Sequence, residues 1–78
     1  MLESIKNEIF ERLGKECYEL SKSARYCRQH GEEKLAEQTH WQILGVHQAV
    51  EALGFDLEEF AKYYRENRRR YRKERIEA

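Results

Sequence analysis

Residues 53–59, Leu-Gly-Phe-Asp-Leu-Glu-Glu, carry the signals that end one helix and begin another. Gly54 is the residue type that most readily takes the left-handed conformation just after a helix. Asp56 is a favourable N-cap, and Glu59 three residues later completes a capping-box-like pattern. Gly31 supplies a second stop of the same kind. Two such breaks in a chain of 78 residues predict three helices.

Apolar residues recur every three or four positions on both sides of the two glycines, which is the pattern of amphipathic helices. The predicted helices cover about residues 3–30, 32–53 and 56–75. Their apolar stripes are, in chain order, Leu2, Ile5, Ile9, Leu13, Cys17, Leu20, Ala24 and Cys27; Leu35, Ala36, Thr39, Ile43, Val46, Val50 and Leu53; and Leu57, Phe60, Ala61, Tyr64 and Tyr71. Two charge pairs at i,i+4 support the first helix, Glu8–Arg12 and Glu11–Lys15.

The two short turns make consecutive helices antiparallel neighbours. We therefore expect an all-α fold, an up-down-up three-helix bundle that forms a single domain over residues 1–78. Residues at the same height in neighbouring helices then have numbers that sum to about 62 across Gly31 and to about 110 across Phe55. We call these level positions. We expect the middle helix to contact both of its neighbours. The alternative fold is a helical hairpin that dimerises into a larger bundle.

The composition is that of a small folded protein, with 40% hydrophobic residues, 38% charged residues and no proline. A chain of this length buries only about 60% of its unfolded surface. No apolar run approaches the roughly 20 residues that span a bilayer, and the first residues lack the apolar segment of a signal peptide. We therefore expect a cytoplasmic protein with no membrane contact, in which Cys17 and Cys27 are reduced core residues.

Charge is distributed unevenly along the chain. Residues 61–78 contain eight Lys/Arg against three Asp/Glu, a net of +5, and residues 1–60 have a net of −5. One side of the third helix carries the arginines that we expect to contact an anion or a partner, namely Arg65, Arg68, Arg69, Arg72 and Arg75. Level positions place this segment beside the first half of the second helix. Interleaved tyrosines are compatible with nucleic-acid contact, although an overall pI of 6.8 and the lack of a helix-turn-helix pattern argue against it.

Groups that could hold a metal are too few in the sequence. Glu37 and His40 have the E-x-x-H spacing of di-iron bundles, and Cys27 and His30 supply half of a zinc site. Neither set has enough ligands to complete its site. We therefore expect no metal, no cofactor and no catalytic residue, and hence no enzyme.

One polar pair is predicted inside the bundle. Glu16 falls within the apolar arc of the first helix, and Glu16 and His47 are level across Gly31. A half-buried carboxylate beside an imidazole favours the protonated ring. We predict a structural Glu16–His47 pair.

The second helix has a further apolar patch opposite its main stripe. Trp41 and Leu44 lie there with Gln48 and Ala52, and Tyr18 of the first helix is placed to extend the patch. Either Trp41 covers a flank of the bundle, or the patch is a protein contact. We favour the contact, because tryptophan is enriched among interface hot spots.

These features predict a small non-enzymatic protein-interaction or regulatory module. The expected partner is a second copy of the chain or another protein, and a homodimer would also enlarge a small core. The alternative function is a small nucleic-acid-binding protein that uses the Arg-rich end of the third helix.

Overall fold

The computed structural model describes the backbone of residues 2–77 and the side chains of residues 3–74. The backbone forms three helices, α1 (Leu2–Gln29), α2 (Glu33–Ala52) and α3 (Leu57–Glu77). Each end lies within two residues of the predicted one. The prediction of an all-α, up-down-up three-helix bundle is confirmed, because α3 packs back on α1 instead of continuing as a separate arm.

Both interhelical turns end their helix in the same way. Gly31 and Gly54 have φ values of 74° and 86°, which lie in the left-handed region that glycine enters without steric cost. At the second turn the Phe55 N–H donates to the Val50 carbonyl at 3.1 Å, and the Gly54 N–H donates to the Glu51 carbonyl at 2.9 Å. The first turn has the equivalent two bonds. These are Schellman motifs, so the predicted role of both glycines is confirmed.

Asp56 caps α3 as predicted. Its Oδ1 accepts a hydrogen bond of 2.8 Å from the Glu58 N–H, which satisfies one free donor of the first turn. The second half of a capping box does not form, because the Glu59 carboxylate turns toward α1 and accepts a bond of 3.1 Å from the Lys6 Nζ. This ion pair joins the beginning of α3 to the beginning of α1.

The central helix is α1, not α2 as predicted. α1 packs against both other helices, whereas α2 and α3 share the fewest contacts. The molecule is accordingly flat, with extents of 45 × 30 × 16 Å. Its radius of gyration of 13.4 Å exceeds the roughly 11.5 Å expected for a compact chain of this length.

α1 buries a wider arc than its predicted stripe. Cys17, Ala24 and Cys27 of that stripe are buried, but Ile5 is exposed and the side chain of Leu2 lies outside the described residues. Three further residues at intervals of four, Phe10, Gly14 and Tyr18, are also buried. They widen the arc to about 180° of helical rotation, which is what one helix needs to contact two neighbours.

Aromatic contacts around Phe10 form the centre of the core. The Phe10 ring meets those of Phe55, Phe60 and Tyr63 edge-on, with centroid distances of 5.5, 5.3 and 5.8 Å. Phe10 and Phe60 form the buried cluster with Cys17 and Val50, and the partly buried Phe55 and Tyr63 pack against it. Edge-to-face geometry of this kind is worth about 0.5–1.5 kcal/mol per pair beyond the buried area.

Cys17 and Cys27 are free thiols, and both are buried, as predicted for core residues. Burial, with a smaller contribution from the Glu16 charge, raises the pKa of the Cys17 thiol to about 11. Within residues 2–77, none of the helices contains a stretch long and apolar enough to cross a membrane.

Candidate functional site

The outer face of α2 points away from α1. We use this name for Trp41, Leu44, Gly45, Gln48 and Ala52, which fall within about 100° of helical rotation. Trp41 is 63% exposed, Leu44 is half-buried, and the other three are exposed. A Cβ added to Gly45 would meet no atom within 4 Å. Nearly two thirds of the indole surface is therefore open to solvent, and Gly45, one turn further along the helix, has no side chain.

Tyr18 does not belong to this face, and its predicted part in the patch is wrong. Tyr18 is buried, and its ring centroid lies 6.2 Å from that of Tyr71 in α3. Lys22 covers the same ring with its Nζ 5.4 Å from the centroid. The prediction failed because α1 turns this residue toward α3, a contact that the single predicted stripe did not include.

A second candidate surface is the arginine face of α3, formed by Arg65, Arg68, Arg69 and Arg72. All four side chains are exposed, and they lie within about 100° of rotation and about 10.5 Å of helix length. Among the side chains of residues 3–74, none of the four takes part in a salt bridge. The side chain of Arg75, the fifth predicted member, lies outside the described residues.

The sequence interpretation missed a polar cluster between α1 and α3, centred on Glu11. Its carboxylate accepts a bond of 2.6 Å from Arg70 Nη1, and Arg70 Nη2 donates to the other oxygen. The hydroxyls of Tyr63 and Tyr71 donate to Glu11 Oε1 at 2.9 and 3.3 Å. Lys15 lies 3.5 Å from the same carboxylate, so the predicted Glu11–Lys15 pair is confirmed, as is the Glu8–Arg12 pair at 3.0 Å.

Arg70 is held on its other side as well. Its Nη1 donates to Glu74 at 2.9 Å, and its Nη2 donates to the Asn67 Oδ1 at 3.0 Å. Lys15 bridges back to Glu74 at 3.2 Å. Arg70 is therefore neutralised within the fold, whereas the arginines of the arginine face are not.

The pKa values of the cluster follow from these contacts. The Arg70 hydrogen bonds, opposed by burial and helped by Tyr63, lower the pKa of Glu11 to about 2. Arg70 and Lys15 likewise lower the pKa of Glu74. Burial and the hydrogen bond to Glu11 raise the pKa of Tyr63. The cluster therefore stays ionised in its paired form across the neutral range.

Gly14 makes room for the Tyr71 side chain beside this cluster. A Cβ at Gly14 would lie 2.5 Å from the Tyr71 hydroxyl oxygen and 3.2 to 3.3 Å from two ring carbons. The Tyr71 ring is buried and packs near Tyr18 and Tyr64. Only glycine lets α1 and this ring approach so closely, which explains a helix-interior glycine with poor intrinsic propensity.

The predicted polar pair of Glu16 and His47 is not formed. Glu16 is exposed, so its predicted place within the apolar arc is wrong. His47 is half-buried and meets the Phe60 ring edge-on at 6.2 Å. No hydrogen bond or ion pair joins Glu16 to His47 among the side chains that the structure describes. The buried arc of α1 extends toward Tyr18, on the side away from the position that would bring Glu16 inside.

Of the residues with metal-site spacing, Glu37, His40 and His30 are exposed and Cys27 is buried. Glu37 and His40 line an open depression of about 320 Å³ with Arg28, Glu33 and Ala36. Within residues 3–74, no three His, Cys, Asp or Glu side chains come together in an arrangement that could hold a metal ion.

Comparison with known proteins gives no match, whether with family models, with curated proteins or with solved structures.

Proposed function

We propose that this protein is a small non-enzymatic interaction module that self-associates through the outer face of α2. The observation that carries the proposal is the exposure of Trp41, the most exposed of the large hydrophobic side chains described. Large exposed aromatic side chains beside small residues are typical of contact sites.

A second copy of α2 fits this face in an antiparallel orientation. Gly45 lies near the centre of the helix, and its open Cβ position leaves space for a bulky side chain. With a two-fold axis beside Gly45, each Trp41 would rest on Gln48 and Ala52 of the other copy. Such a contact is isologous, as in most homodimers, because the same patch serves both partners.

The charges at the ends of α2 agree with this orientation. The antiparallel arrangement brings the exposed Lys34 of one copy toward the turn that carries Asp56 in the other. Both side chains are exposed, so each such pair contributes at most about 1 kcal/mol. The pairs therefore select the orientation more than they add affinity.

The expected affinity is modest. Trp41 leaves 63% of its surface uncovered, about 150 Å². Burying two such indoles gives about 7 kcal/mol at 25 cal/mol per Å². Association itself costs about 4–15 kcal/mol, so the two indoles alone leave at most about 3 kcal/mol, and we expect a dissociation constant in the millimolar range.

Sedimentation equilibrium between about 0.1 and 3 mM tests the proposal, since this range reaches the expected millimolar affinity. The wild-type mass should rise from monomer toward dimer. Trp41→Ala should weaken the dimer at least about 30-fold, as expected for a hot spot. Gly45→Glu should abolish it by placing two carboxylates at the two-fold axis, while its open surroundings leave the monomer folded.

Tyr26→Ala is the matched control, because Tyr26 is 60% exposed but lies on α1. It should leave the mass distribution unchanged. A wild-type protein that stays monomeric at about 3 mM would refute self-association and leave another protein as the partner of this face. An unchanged dimer in Trp41→Ala would instead place the contact elsewhere.

A further inference from the structure

The arginine face of α3 has the properties of a binding surface for a phosphate backbone. Its four guanidinium groups are exposed, and among residues 3–74 no carboxylate forms a salt bridge with any of them. Arginine is the side chain best suited to phosphate, because its planar donors match two phosphate oxygens at once.

The face keeps its charge at a cost to the helix. Arg65 and Arg69, and Arg68 and Arg72, are like charges at i,i+4, and such pairs destabilise a helix. α3 tolerates them because its opposite side is held on α1 by the Glu11–Arg70 bonds and by the buried Tyr71 ring. A repulsive cluster on a firmly held scaffold is stabilised by an anionic ligand, which removes the repulsion.

The spacing of the charges distinguishes among anions. From Arg65 to Arg72 there is one guanidinium per roughly 3.5 Å of helix axis. One strand of double-stranded DNA carries one phosphate per roughly 3.4 Å of its axis. The linear charge densities of helix and strand therefore match with opposite sign.

The surroundings argue against a membrane or a protein as the ligand. A helix that binds a membrane surface inserts an apolar side, but the apolar side of α3, with Phe60 and Tyr71, is buried inside the fold. Protein interfaces need a desolvated apolar centre, and the arginine face itself contains only arginines. The geometry points to the sugar-phosphate backbone of a nucleic acid, bound without base recognition, as the ligand of this face.

Fluorescence anisotropy with a labelled 20-base-pair DNA duplex and a labelled single-stranded RNA of 20 nucleotides tests the inference. The titrations run from 25 to 200 mM salt. Neutralising four phosphates predicts a slope of about −3.6 for log affinity against log salt on the duplex. Affinity should thus fall about 150-fold between 50 and 200 mM. The relative affinities for duplex and single strand identify which form the face prefers.

Two double variants isolate the face. Arg69→Gln/Arg72→Gln should reduce the magnitude of the slope by about 1.8. It should remain helical by circular dichroism at 222 nm, because the exchange removes repulsion. Arg12→Gln/Arg28→Gln removes two exposed arginines from α1 and should leave the slope unchanged.

Three results would overturn the inference. One is the absence of binding to either nucleic acid at 25 mM salt. Another is equal slopes in the two double variants, which would place the contact outside the arginine face. The third is binding of poly-glutamate as tightly as the duplex, which would assign the face to an acidic protein.

Discussion

Replacing Glu11 with glutamine should test whether the cluster between α1 and α3 stabilises the fold through charge. Glutamine keeps the size of the side chain and one acceptor oxygen. It removes the negative charge that Arg70 and Lys15 surround. It also places an amide N–H₂ where a carboxylate oxygen accepted a bond from Arg70, so that one N–H of the Arg70 guanidinium loses its acceptor.

The pKa of Glu11 gives the size of the effect. A fall from 4.5 to about 2 corresponds to at most about 3.4 kcal/mol. Arg70 is 40% exposed, so solvent screens part of this energy, and Glu74 still pairs with Arg70 in the variant. We expect Glu11→Gln to lower the free energy of unfolding by about 2 kcal/mol at pH 7.

The pH dependence separates charge from packing. The Glu11 pKa is lower in the folded state than in the unfolded state, so its stabilisation is complete above pH 4.5 and is lost as the pH falls toward 2. The difference between wild type and Glu11→Gln should therefore shrink below pH 4.5. Other carboxylates titrate in both proteins, and their contributions largely cancel in the difference.

Urea unfolding followed by circular dichroism at pH 7, 5, 4 and 3 measures this difference. Glu8→Gln is the control, since Glu8 and Arg12 form an ion pair whose side chains are 65% and 78% exposed. It should change stability by less than about 0.5 kcal/mol at every pH. A Glu11→Gln effect that is equally small, or that stays constant from pH 7 to pH 3, would refute the role assigned to the cluster.

Three further predictions concern packing. Gly14→Ala should destabilise the fold by about 1–2 kcal/mol, although alanine has the better helix propensity, because the added Cβ meets Tyr71. Gly45→Ala, where the added Cβ meets open space, should stabilise the fold by about 0.5–1 kcal/mol. Stabilisation by both variants in urea unfolding would contradict this. Phe10→Leu should cost about 2 kcal/mol through lost ring contacts and a cavity, and an unchanged melting curve would contradict it. In a Cys27→Ala background at pH 8, Cys17 should react with a thiol reagent about 100-fold more slowly in the folded protein than in the protein unfolded in urea. The reason is that a pKa of about 11 leaves little thiolate in the folded state. Reaction of the folded protein at the unfolded rate would contradict the burial of Cys17.

Local interactions account for what could be predicted. The turn after α2 depends on Gly54 and on bonds that reach no more than five residues along the chain. The Asp56 cap spans two residues. Signals of such short range are visible in the sequence alone, and the helix ends followed from them.

The apolar pattern does not show which of the three helices lies at the centre of the bundle. Taken together, the two level sums place each α3 residue beside an α1 residue that lies about 48 positions earlier in the chain. The bonded pairs are separated by more, 53 residues for Lys6–Glu59 and 59 for Glu11–Arg70. α3 packs on α1 and hardly on α2. Its register is therefore set by direct contact with α1, and the sums counted through α2 could not pair Arg70 with Glu11.

The candidate surfaces were predictable to different degrees. Trp41 stood out because it lies opposite its own apolar stripe, and its exposure agrees with that position. Tyr18 stood out for the same reason but is buried, since α1 has a second neighbour. The spacing of Phe10, Gly14 and Tyr18 at intervals of four was the available signal for that neighbour. Gly14 stands at the centre of this spacing. Because glycine has no hydrophobic side chain, the apolar pattern did not include it.

The central position of α1 has a consequence for how the chain folds during synthesis. The residues of α1 that receive α3 lie 52 to 60 positions before their partners. At about 5–20 residues per second, the ribosome needs several seconds to supply that many residues. α1 and α2 can pair in this interval, while Phe10 and Tyr18 remain uncovered on the nascent hairpin. The same interval gives a chaperone, or a neighbouring nascent chain, its best opportunity to occupy the site of α3.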